Sequence, residues 1–126
     1  MLPCHQKKMI SRPVNIFLNY HAHVYFDKST QHQALILCDN AWSILKILVG
    51  HIHNKLVGPH PHWSCQLSFT LTQFDELITW LELNRRDLNI FAHGATGDNL
   101  ADHTTHAAWL GEPSILNLNV FIDSSA

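Results

Sequence analysis

Charge is scarce in this sequence. Charged residues make up 14% of the chain, 8 lysines and arginines stand against 10 aspartates and glutamates, and neither sign forms a run. Without a basic patch the surface cannot neutralise phosphates at the density that nucleic acid or an anionic membrane demands, so neither is expected as a partner. Long apolar runs are missing as well. No stretch reaches the length of a membrane span, and the opening MLPCHQKKMISRP has no apolar h-region, so no secretory signal is expected. The three cysteines (Cys4, Cys38 and Cys65) are odd in number, widely spaced and outside any CxxC, which points to a reduced cytoplasm. Familiar catalytic signatures are absent too. There is no HExxH and no serine in a nucleophile elbow, and GATGDN at 94–99 lacks both GK[ST] and the strand-to-helix context of a phosphate loop.

What the chain does have is histidine. Its 11 histidines outnumber all its lysines and arginines, and histidine is both the side chain that titrates near neutrality and the commonest metal ligand. They include three HxH pairs where a random scatter gives roughly one. At 126 residues and 46% hydrophobic content, the chain is long enough for one domain with its own core.

Residues 1–13 read as a flexible leader, polar and without periodicity, ahead of a single domain over 14–126. From Asn15 to Phe26 the pattern alternates. Ile16, Leu18, Tyr20, Ala22, Val24 and Phe26 share one face, and Phe17, Asn19, His21, His23 and Tyr25 the other, as on a strand with one polar face. A helix capped by Ser29 or Thr30 and stopped near Gly50 follows, with Ala34, Leu37, Cys38, Ala41, Trp42, Leu45, Leu48 and Val49 at helical spacing. A short strand is expected around 51–57, and another over 64–71 with Cys65, Leu67, Phe69 and Leu71 inward. A second helix starts at Thr72 with Phe74, Leu77, Ile78 and Leu81 as its inner stripe. A strand over 88–93, a loop or short helix through Trp109, and a final strand at 115–122 complete the series. The order β-α-β-β-α-β plus a terminal strand predicts an α+β, ferredoxin-like βαββαβ sandwich with an additional C-terminal strand. Two helices cover one face of such a sheet. The face with His21 and His23 is left to form a cleft or a dimer interface.

On a strand, residues two apart point the same way about 7 Å apart, so His21 and His23 either converge on one ion or hydrogen-bond within a polar sheet face. His60 sits between Pro59 and Pro61, whose rings stiffen the loop. It is either a preorganised ligand or proton carrier, or part of a rigid surface turn. His93 ends a strand just before Gly94, and His103 lies on the polar loop that follows. His51, near a helix end, and His62, after the second proline, read as solvated. The residues alone therefore lead to a histidine-lined cleft that can hold a divalent metal, with few carboxylates nearby: Asp27, Asp98, Asp102 and Glu112.

Four stretches in order, YHAHVYFD (20–27), VGPHP (57–61), WLELNRRDLNIFAH (80–93) and TGDNLADHTTHAAWLG (96–111), together resemble the DOPA 4,5-dioxygenase family of small aromatic-ring-cleaving dioxygenases. The resemblance implies a ferredoxin-like homodimer that uses O2 and non-haem Fe(II), with zinc or another divalent metal as a substitute, to cleave a catechol such as DOPA. The matching histidines are His21, His23, His53, His60, His93 and His103. Of these, His21, His23, His60 and His93 are the expected metal ligands, His53 and His103 the acid/base pair, and Tyr25, on the strand face of His21 and His23, a substrate contact. Asp98 and Asp102 are the substitutes should a carboxylate be needed. Arg85 and Arg86 are candidates to meet an amino-acid carboxylate, with solvation as the alternative. Asn54 stands where relatives tend to have glutamate, and Gly94 where they tend to have proline. Two alternatives to an enzyme are a non-catalytic His-rich metal-binding module and a pH-sensitive dimeric module.

Overall fold

The computed structural model describes residues 13–123. All of the expected leader except Pro13 thus lies outside the described residues. The elements are β1 (Asn19–Phe26), α1 (Gln31–Leu45), β2 (Leu48–His53), β3 (Trp63–Thr70), α2 (Leu71–Asn84), β4 (Ile90–Gly94), α3 (Asn99–Asp102), β5 (Ala107–Leu110) and α4 (Asn119–Asp123). They build one five-stranded sheet in the order β2-β3-β1-β4-β5, and every paired neighbour is antiparallel. The first four strands and two helices form the expected ferredoxin-like βαββαβ unit.

The alternation in β1 sorts its side chains as predicted from residue 20 onward. Tyr20, Ala22, Val24 and Phe26 join the core beneath the helices, with Ala34, Leu37, Cys38 and Ala41 of α1 and Phe74, Leu77 and Leu81 of α2. Ile16 and Leu18 do not belong to this face. They precede the strand and are 69% and 72% exposed, whereas Phe17 packs against the core.

Several boundaries differ from expectation. Helix α1 stops at Leu45 rather than near Gly50, because Lys46 takes a left-handed conformation (φ 60°) and the Ile47 amide bonds back to the Ala41 carbonyl at 3.1 Å. This closing turn buries Ile47 and releases Leu48 and Val49 into β2. The N-cap of α2 is Thr70, not Thr72. Its backbone N–H donates to Gln73 Oε1 at 3.0 Å, and Leu71 becomes a half-exposed first helical residue.

A further difference concerns residues 107–122. The additional strand is β5, in the stretch expected to be a loop or short helix, and it takes the sheet edge beside β4. Residues 115–122 are not a strand. They cross the surface, with the Asn117 N–H donating to the Pro59 carbonyl at 2.8 Å and Ile115 92% exposed, and end in α4. Alternation can be satisfied only where a neighbouring strand offers its edge, and no described strand lies beside this segment. Among the described residues no helix is long and apolar enough to cross a membrane.

Candidate metal centre

The central position of β1 brings its polar face against two neighbours. His21 lies opposite His93 of β4 and Ser68 of β3, and His23 opposite Phe91 and Gln66. Residues directly opposite each other share a face, so His93 enters the same cluster as the HxH pair. The turn 57–60 then returns over the sheet. Gly58 takes φ 59°, the His60 N–H donates to the Val57 carbonyl at 3.2 Å, and the His60 ring lands 4.0 Å from that of His23. From the far side α3 delivers His103, whose ring is 4.3 Å from His93 and 6.2 Å from His60.

Five imidazoles therefore line one cleft of about 440 Å³. Two overlapping sets of three offer ligand atoms within 4.8 Å of one another: His21, His23 and His93, and His23, His60 and His103. The hydrogen bonds preset the tautomers. His93 Nδ1 lies 2.8 Å from the Gly94 carbonyl, which can only accept, so Nδ1 carries the proton and Nε2 presents a lone pair. That Nε2 is 3.0 Å from His23 Nε2, whose N–H donates to it. His103 likewise donates from Nδ1 to the Asn99 carbonyl at 2.7 Å, leaving its Nε2 lone pair free. A ring whose second nitrogen is fixed on a carbonyl is the usual condition of a metal-bound histidine.

The electrostatics favour the ligand form. Burial lowers the pKa of all five, more than the neighbouring imidazoles do. His23 falls well below its ordinary value, His60 to about 4 and His93 to about 3, and His21 and His103 are lowered as well. At neutral pH the cleft is lined by uncharged donors, as a divalent ion requires. Burial also raises the Tyr25 pKa, so the phenol keeps its proton.

The remaining expected residues fall elsewhere. Tyr25 is 4% exposed and lies behind His60, with its hydroxyl 2.7 Å from His60 Nδ1; it buttresses that ring and does not line the cleft. His53, at the end of β2, is opposite Ser64, and its ring lies tilted 6.3 Å from that of His51. It is outside the cleft lining, though its charge acts on His60. Asp102 is buried and committed. Its carboxylate accepts from Thr96 N at 2.8 Å, Thr96 Oγ1 at 2.6 Å and His106 Nδ1 at 3.0 Å. Although burial opposes it, these bonds hold its pKa below the ordinary value. Asp98 is exposed and caps α3 through the Ala101 amide at 3.1 Å. Neither carboxylate is free to join the histidines. Asn54 is exposed on the turn after β2, outside the cleft.

His62 is exposed, as expected, and bonds Ser114 Oγ at 3.0 Å, which tethers the C-terminal segment. That segment supplies Phe121, which the sequence reading missed; its ring is 4.6 Å from His103. Gln66, opposite His23 in the β1–β3 register, also lines the cleft.

Fold and donors together define a ferredoxin-like α+β protein with a cleft of neutral, mostly buried imidazoles that could hold a metal ion, with no free carboxylate among its described lining residues. Comparison with known proteins narrows the class. The profile of the Dopa 4,5-dioxygenase family matches residues 20–120, and the chain belongs to that family. It is 28% identical over 108 residues to a DOPA 4,5-dioxygenase of Amanita muscaria, covering 79% of this chain and 47% of that protein. It is 27% identical over 114 residues to an uncharacterized 21.2 kDa protein of Botryotinia fuckeliana, covering 80% of this chain and 62% of that one. The chain thus spans about half to three fifths of the length of these relatives. A crystal structure of a candidate dioxygenase from Nostoc punctiforme superposes with a TM-score of 0.83 at 34% identity, covering 86% of this chain and 94% of the other.

Proposed function

We propose that this protein is an extradiol ring-cleaving dioxygenase, inserting O2 into a catechol at Fe(II) held by histidines of the cleft. The observation that carries this reading is the convergence of His21, His23, His60, His93 and His103 on one pocket of about 440 Å³, large enough for a single aromatic ring. Two or three of His21, His23, His60 and His93 are the metal ligands in this scheme, with His21, His23 and His93 one converging set. Bound there, Fe(II) would supply the open coordination positions and the redox chemistry that a reaction between catechol and O2 requires.

The chain's own side chains do the rest. His103 is uncharged at neutral pH and has an Nε2 lone pair, so it can accept a catechol proton and return it later, as a general base and then acid. His53 lies outside the cleft lining and interacts electrostatically with His60. Tyr25 holds the His60 ring in place and is assigned to orientation of the site. We take the protein to act as a homodimer in the cytoplasm. The open β2 edge, with Leu48 and Leu56 exposed, is a surface available for pairing, and the mass in solution tests it.

The function is tested by loading the protein anaerobically with Fe(II), then admitting air and a panel of catechols. Stoichiometric O2 uptake with a coloured ring-fission product is expected. Intact catechols despite bound iron would overturn the proposal.

A further inference from the structure

A smaller cavity, of about 80 Å³, adjoins the histidine cleft. Its lining includes the buried Tyr20, Phe74, Ala92 and Ala108. Val14 and Ile16, both exposed, also line it and connect it to the protein surface. The partition between cavity and cleft is thin. His93 lines both spaces. Beside it, His106 of the cavity and Asp102 of the cleft are joined by a hydrogen bond of 3.0 Å. Phe17, another lining residue, has its ring 4.5 Å from that of His106. Gly94 gives that ring room, since a Cβ there would come within 2.6 Å of it.

Size and lining select the occupant. A pocket that binds a drug-sized molecule holds roughly 300 Å³ or more, so a substituted catechol is too large for this one. A buried water seeks about two to four polar partners, and the Phe74, Ala92 and Ala108 side chains supply none. Small apolar cavities instead take up apolar atoms and molecules, xenon among them. Of the two reactants in the proposed reaction, O2 alone is both small and apolar. The cleft offers O2 a poor route once it is occupied. A ring seated among the imidazoles, Val57, Pro59 and Phe121 fills the space before them, whereas the cavity reaches His93 through an opening of its own.

We propose that this cavity is an O2 site, a chamber that takes O2 from the surface and passes it by His93 into the cleft while a catechol is seated there. This rests on the catechol reading above and names how that site receives its second substrate.

Xenon reports on the cavity without turnover. A crystal of the full chain held under xenon pressure is expected to show one atom beside Phe74, Ala92 and Ala108, located by its anomalous scattering. Ala107 also lines the cavity, is half-buried on the edge strand β5 and lies opposite His93, so a larger side chain there fills the space without entering the helix-covered core. Ala107→Leu is expected to exclude xenon. In the iron-loaded chain it should raise the KM for O2 about five-fold or more and leave the KM for the catechol unchanged. Should Ala107→Leu not fold, Val14→Trp at the exposed end of the cavity takes its place, with the same expected split between the two KM values. A parent cavity without xenon, or a folded variant with an unchanged KM for O2, overturns the proposal while the catechol reading stands. No O2 uptake with any catechol overturns both.

Discussion

His93 shows how one side chain is prepared for two tasks. Its Nδ1–H is fixed on the Gly94 carbonyl, its Nε2 faces His23, and burial keeps it neutral down to about pH 3. Linkage turns such shifts into a pH dependence of stability. The folded pKa values lie below the unfolded value of about 6.5, so the unfolded chain binds more protons in the interval between them. The stabilising contribution is complete above about pH 6.5 and is lost as the pH falls toward about 4 for His60 and about 3 for His93. Urea unfolding of the metal-free protein should show a midpoint that drops steadily from pH 7 to pH 5, by at most about 1.4 kcal/mol per pH unit per histidine. A flat midpoint over that range would contradict the burial of these rings. Tyr25→Phe removes the hydroxyl from His60 Nδ1. It should cost about 1 kcal/mol of stability and weaken zinc binding about ten-fold in a chelator competition, without changing the number of ions bound.

At the scale of elements, the ends of helices and strands carry the testable strain. Lys46 closes α1 in the left-handed region, where a Cβ is penalised. Lys46→Gly should therefore raise stability by about 1 kcal/mol in thermal unfolding, even though it removes the contact over Trp42. Gly94 closes β4 under different pressure. An added Cβ would come within 2.6 Å of the Phe17 ring, and the Gly94 N–H donates to the His106 carbonyl at 3.0 Å. Proline at this position has no N–H to make this bond. Gly94→Ala should cost about 1–3 kcal/mol in denaturant unfolding, and Gly94→Pro more. If both variants match the parent, Phe17 and the His106 contact are not what shapes this strand end.

For the whole molecule, the histidines bring together side chains from β1, β4, the 57–60 turn and the end of α3. An ion held by His21, His23 and His93 would cross-link β1 and β4, and one held by His23, His60 and His103 would cross-link β1, the 57–60 turn and the end of α3, in either case only in the folded state. A metal that binds the native chain alone stabilises it by mass action, about 2.7 kcal/mol at a free concentration one hundred times its Kd. Zinc titration followed by thermal unfolding should show one tight ion per chain and a concentration-dependent rise in Tm, reversed by a chelator. Several weak ions with no rise would favour a metal buffer over an enzyme site.

Much of this architecture is written in local patterns. Alternation in Tyr20–Phe26 sets which face of β1 meets the helices, and the stripes Ala34–Leu37–Cys38–Ala41 and Phe74–Leu77–Leu81 set the helix faces, because side-chain direction along one element depends only on its own period. The same reasoning placed His21 and His23 on the polar face before any partner was known. The pattern at 115–122 misled because alternation says nothing about whether a neighbouring strand exists, and α1 was read too long because a non-glycine left-handed cap leaves no clear mark in composition. What only the tertiary structure decided is which distant residues meet. His93 reaches His23 across 70 positions through the β1–β4 register, and Tyr25 reaches His60 through the return of the 57–60 turn. His103 and Phe121 arrive on short elements whose placement follows from tertiary contacts and no periodicity of their own. A strand's period is a property of its own backbone, whereas a site is made where separate strands and loops are packed together, and that packing is decided by the whole core at once.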